Sequence, residues 1–75
     1  MVQVLERVRL RAVARSGKGP AIRAQAGLTQ ADIASELGVH VTTVARWESG
    51  TREPRGELAE RYGALLRKLE RAVSR

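Results

Sequence analysis

The stretch LTQADIASELGVHVTTVARWESG, residues 28–50, decides the fold. Its apolar side chains Ile33, Leu37, Val39, Val44 and Trp47 fall at intervals that fit two short helices, Gln30 to Leu37 and Val41 to Glu48. Between them stand Gly38, Val39 and His40, a turn of three residues. So sharp a reversal needs one residue at positive φ, and Gly38 supplies it. Close approach of the helices needs a small side chain, which Ala34 provides. Thr29 is an N-cap candidate, with Asp32 three residues on as a variant of the capping box. The apolar set clamps the two helices together, with Trp47 in the core. Val41, Thr42, Ala45 and Arg46 are left on the outer face of the second helix.

Working upstream, Val4, Leu5, Val8 and Ala12 recur at helical spacing and predict a helix from Val2 to Arg15, broken by Gly17 and Gly19-Pro20. Pro20 suits the first turn of a short second helix through Ala26, with Gly27 as its C-terminal cap. Downstream, Ser49-Gly50 closes the motif and the loop Thr51-Arg52-Glu53-Pro54 follows. A long helix then starts near Gly56, its apolar stripe running through Leu58, Tyr62, Leu65, Leu66, Leu69 and Val73. No segment alternates with period two for long enough to make a strand. The expected architecture is all-α: five helices in one domain over residues 1–75, with the helix-turn-helix at 29–50. The two outer helices must bury something. Either Val4, Leu5, Val8 and Ala12 pack against Leu58, Leu65, Leu66 and Leu69 in one chain, or part of the C-terminal stripe meets a second copy. A chain this short spends most of its apolar residues on its own core, which favours a monomer in solution that pairs on its target.

Composition narrows function from the other side. With 75 residues there is room for one small core. The absence of cysteine excludes disulfides and thiolate sites, and His40 as the sole histidine leaves neither a zinc constellation nor a Ser/His or Cys/His pair. No enzyme chemistry, metal or cofactor is implied. No apolar run reaches the ~20 residues of a membrane span and no signal peptide is visible, so a cytoplasmic protein is expected. The net charge is +6, with aromatic residues at 3%, which favours a polyanion met through its phosphates. Residues 1–29 hold six basic side chains against one acid, residues 30–50 one against three, and residues 51–75 seven against four. Phosphate-seeking charge thus sits in the flanks, and the middle is free for something more selective. The basic residues are nearly all arginine, and with abundant alanine, glycine and valine this suggests GC-rich coding, as in a high-GC bacterium or its phage.

Residues 28–50, with Pro54, resemble the Cro/cI (XRE) repressor family and its lambda-repressor-like fold. Thr29-Gln30, Ala34, Gly38, Val44, Trp47-Glu48, Gly50 and Pro54 all fall at family spacing, and the likeness extends over Ala21 to Pro54. It implies double-stranded DNA as partner, with the second motif helix in the major groove. Val41, Thr42 and Arg46 would then face base edges, arginine gripping guanine through two hydrogen bonds and Val41 meeting a thymine methyl. Gln30, at a helix N-terminus, would touch a phosphate. Thr43, His40, Arg52, Arg55 and Lys18 are further candidates for the backbone. His40 departs from the family, which places Ser or Thr there; histidine caps poorly, so Thr42 or Thr43 should compensate or the helix start should be loose. Arg23 and Glu48 are implied to form a partly buried structural ion pair. The function so implied is transcriptional repression by promoter occlusion. The alternatives are an antitoxin or recombination accessory protein on the same scaffold, and a protein-interaction module with a basic face.

Overall fold

The structure, a computed structural model, describes residues 2–74, so the two end positions of the expected domain lie outside it. Five helices follow one another: α1 (Val2–Arg15), α2 (Gly19–Gln25), α3 (Gln30–Leu37), α4 (Val41–Ser49) and α5 (Gly56–Val73). This is a small all-α domain of lambda-repressor-like form, and each boundary has a local cause. Pro20 sits in the first turn of α2, where its missing N–H costs nothing. The N–H of Leu28 closes the end of α2 onto the Arg23 carbonyl, with Gly27 between them at φ +72°. Thr29 accepts from the Asp32 N–H at 3.0 Å, and its own N–H donates to the Asp32 carboxylate at 2.8 Å, a complete capping box that opens α3. These bonds hold the Asp32 carboxyl below its ordinary range.

The interior is built where α3, α4 and α5 meet. Ile33, Val44 and Leu66 are its most deeply buried large side chains, with Ile22, Leu37 and Tyr62 around them. Burying side chains of this kind stabilises by roughly 1.5–3 kcal/mol each. The longest helix, α5, is the spine that α1, α2 and α3 all touch, while α4 reaches the body chiefly through α3. Trp47 is half-buried at the edge of this core, its ring tilted 37° against that of Tyr62 with centroids 4.8 Å apart.

The first helix corrects an expectation. It does pack along α5, but Val4, Leu5 and Val8 are 56%, 52% and 58% exposed, and Ala12 is exposed too. The face turned inward carries Leu10, Val13 and Ala14 instead. Gly63 is the physical reason. It is buried in α5 directly against the Leu10 backbone, and a β carbon there would run into the Leu10 carbonyl. The helices therefore cross at backbone contact, and charged pairs complete the seam: Arg67 to Glu6 at 3.2 Å and Arg11 to Glu60 at 3.1 Å. A glycine notch and ion pairs hold α1, and the larger apolar stripe faces out.

Candidate nucleic-acid interface

The geometry of the motif begins at Gly38. With φ +70° it ends α3 in the left-handed conformation, and the N–H of Val39 returns to the Ala34 carbonyl at 3.0 Å. The chain is thereby delivered to His40, whose extended backbone (φ −72°, ψ 146°) makes it the N-cap of α4. Here the structure differs from the expected weak cap. The His40 imidazole Nδ1 accepts the Thr42 N–H at 3.1 Å, so the histidine does the work of the usual serine or threonine. Neither Thr42 nor Thr43 is needed as a substitute cap. At the other end Gly50, at φ +77°, stops α4.

With both ends fixed, the fully buried Val44 sets the rotation of α4. Val41, Thr42 and Arg46 are exposed, Val41 at 39%, while Thr43 and Ala45 lie part-way in. Beside the helix runs a groove of about 510 Å³. Thr43, Arg52, Glu53 and Arg55 line it with polar groups, and Trp47, Pro54 and Leu58 with apolar ones. The structure thus brings Thr43, Arg52 and Arg55 to one concavity. Lys18 lies elsewhere, lining a separate groove with Val13, Ile22 and Glu70 between α1, α2 and α5.

Behind α4 stands a polar cluster of three residues. Arg23 Nε donates to Glu48 Oε2 at 2.6 Å and Nη2 donates to Glu48 Oε1 at 3.0 Å, the bidentate arrangement that fits a guanidinium to a carboxylate. Its Nη1 donates to the Leu28 carbonyl at 2.8 Å, pinning the loop before α3. The Gln30 amide donates to Glu48 Oε1 at 2.9 Å. Burial pushes the Glu48 carboxyl up, but the hydrogen bonds from Arg23 and Gln30, with the charge of Arg23, outweigh it and leave the group below its ordinary value. The bond to Glu48 raises Arg23 above an already high value. Tyr62 lies near this pair, and burial, reinforced by the Glu48 charge and opposed by Arg23, pushes its phenol up to about 12.

The tie between Gln30 and Glu48 has no counterpart among the expectations from sequence. The signal available was position: Gln30 opens α3 next to the loop that Arg23 grips, so its amide reaches the carboxylate that Arg23 already holds. Among the described residues no group of His, Cys, Asp and Glu side chains could hold a metal ion, and no helix is long and apolar enough to cross a membrane.

Two short helices across a glycine-ended turn, the second capped at both ends and showing a polar outer face, define a helix-turn-helix domain, the class whose second helix enters the DNA major groove. Residues 21–72 match the helix-turn-helix family of Cro/C1 type, also called XRE, and the chain belongs to it. Domains of this family are DNA-binding regulators and not enzymes. No curated protein and no solved structure matches the chain. The match begins at Ala21, so α1, the helix with the exposed apolar stripe, lies outside the matched residues.

Proposed function

We propose that this protein is a sequence-specific transcriptional repressor, that residues 1–75 act as one DNA-binding domain, and that it works by occluding a promoter. The observation that carries the reading is the outward display of Val41, Thr42 and Arg46 on a helix whose rotation is fixed by buried Val44 and whose ends are capped. In this reading Arg46 takes a guanine edge, Thr42 a neighbouring base and Val41 a thymine methyl. Thr43, Arg52 and Arg55, gathered at the groove beside α4, hold phosphates. His40 lies at the start of α4, in reach of the same backbone. Gln30 spends its side-chain amide on Glu48, so its phosphate contact is made through the N-terminal N–H groups of α3. Lys18 contributes general positive charge. A monomer that pairs on two half-sites about one helical turn apart fits the small interior and a pseudo-palindromic operator. The arginine-rich composition favours a high-GC bacterium or its phage, with the protein acting in the cytoplasm on the nucleoid.

Selection of bound sequences from a random duplex pool, followed by titration of two variants, tests this reading. Arg46→Ala should cost about 1–3 kcal/mol on the selected site and much less on random duplex. Arg52→Ala should weaken both alike and lower the slope of log affinity against log salt by about one. An equal loss from Arg46→Ala on every duplex would remove base reading from Arg46, and a pool with no enriched sequence would overturn specific repression altogether.

A further inference from the structure

The outward face of α1 has a regular design. Leu5, Val8 and Ala12 are separated by three and four residues, the rhythm of a coiled-coil seam, and Val4 stands beside them. At about 100° per residue this seam lies on the side of α1 opposite Leu10, the residue pressed on Gly63. The three seam residues and Val4 are all exposed. Arg9 and Arg11 occupy the two positions that flank such a seam, and Arg15 closes its C-terminal end. The sole carboxylate of α1, Glu6, is engaged with Arg67 of α5 at 3.2 Å and offers nothing to this face. Arg11 keeps a side chain 44% exposed despite its bond to Glu60, and Arg9 has no ion-pair partner among the described residues.

Charge decides between occupants. A second copy laid along this seam would set Arg9 and Arg11 against their own likenesses, and like charges at flanking positions select against that pairing. A bilayer-surface helix draws its grip from large apolar side chains, and among Val4, Leu5, Val8 and Ala12 only Leu5 is of that kind. An opposing helix with apolar seam residues and acidic flanks satisfies every feature of the face. We propose that α1 is a docking surface for an acidic amphipathic helix of another protein. It is already folded against α5, so the incoming helix orders only itself. Because α1 packs chiefly on α5, docking on its outer face leaves α4 free and the DNA-bound protein can recruit its partner.

The test uses the whole chain and a labelled synthetic peptide of about three heptads with Leu at the seam and Glu at both flanks, and a second peptide with Lys in place of Glu. Fluorescence anisotropy should show the Glu peptide bound at least about tenfold more tightly than the Lys peptide. Leu5→Gln and Val8→Gln should each weaken the Glu peptide several-fold, while helicity and affinity for duplex DNA stay at the parent level. Arg9→Glu should narrow or reverse the preference between peptides. Equal binding of the two peptides, or binding of neither, would overturn the proposal. So would self-association of the parent that Leu5→Gln abolishes, which would assign the seam to a second copy. Binding to phosphatidylglycerol vesicles that Leu5→Gln abolishes, with no preference for the Glu peptide, would assign it to a bilayer.

Discussion

Arg23 binds Glu48 through two parallel hydrogen bonds, fastening the last turn of α2 to the last turn of the recognition helix. The Glu48 side chain is 7% exposed and that of Arg23 19%, so the pair is neither a surface bridge nor fully dry. Removing one member strands the other. Glu48→Ala should therefore cost about 2–3 kcal/mol, between the values for exposed and buried pairs. For a domain of this size that is a fall in Tm of roughly 8 °C or more. Calorimetry on the parent, Glu48→Ala and an Arg23→Met/Glu48→Leu double variant checks it. The double variant should recover part of the loss, since two apolar groups leave no charge uncompensated. A Glu48→Ala protein melting with the parent would show that the pair contributes nothing.

Tyr62 gives a pH dependence at the alkaline end. Its phenol is raised to about 12 in the folded chain, against about 10 when unfolded. The protonated phenol is thus favoured by folding, and its contribution is intact below pH ~10 and lost as the pH climbs toward 12. Urea unfolding at a series of alkaline pH values should show the parent losing stability across that window. Tyr62→Phe should flatten the slope there, and a slope equal to the parent's would exclude Tyr62 as its source.

The crossing of α1 over α5 depends on the missing side chain of Gly63. Gly63→Ala places a methyl group against the Leu10 carbonyl, with backbone on the opposing side and no flexible tip to yield. The overpacking should cost about 1–3 kcal/mol. Since α1 has few neighbours besides α5, the loss should concentrate in α1, and amide exchange should show its protection falling before that of α3 and α4.

The cap on α4 is a histidine ring nitrogen, and its worth can be measured by substitution. His40→Ala should destabilise by about 1 kcal/mol, while His40→Ser, which restores a hydroxyl acceptor, should stay near or above the parent. Denaturant titration distinguishes the two. Equal losses in both variants would mean that the ring matters through packing and not through its bond to Thr42.

The motif was legible because each of its steps demands a residue type that few others can replace. Gly38 is at positive φ, Thr29 and Asp32 complete their reciprocal bonds, and Ile33, Leu37 and Val44 are buried. The orientation of α1 was not legible, because the helix is apolar on two sides. Periodicity favours Val4, Leu5 and Val8, the larger set, whereas the inner face was chosen by a neighbour, Gly63, far away in the chain. Nor could propensity foresee that His40 would turn Nδ1 onto the Thr42 N–H, since that depends on the ring's tautomer and rotamer. In the candidate interface the exposure of Val41, Thr42 and Arg46 followed from the helical repeat. The gathering of Thr43, Arg52 and Arg55 around one groove depends instead on the path of the loop to Pro54, which spacing alone does not describe.

The contact between Trp47 and Tyr62 turns the molecule into its own optical probe. They are the only tryptophan and the only tyrosine in the chain, and their rings touch in the folded state. Light absorbed by the tyrosine should pass to the tryptophan, so native emission should come from Trp47, and a separate tyrosine band should appear when unfolding carries the two rings far apart. Trp47 also borders the groove shared with Arg52 and Arg55, where a bound phosphate chain would change the polarity at the indole. Unfolding and occupancy of the groove are therefore separable by colour in unlabelled protein, the first by the appearance of tyrosine light and the second by a shift of tryptophan light without it.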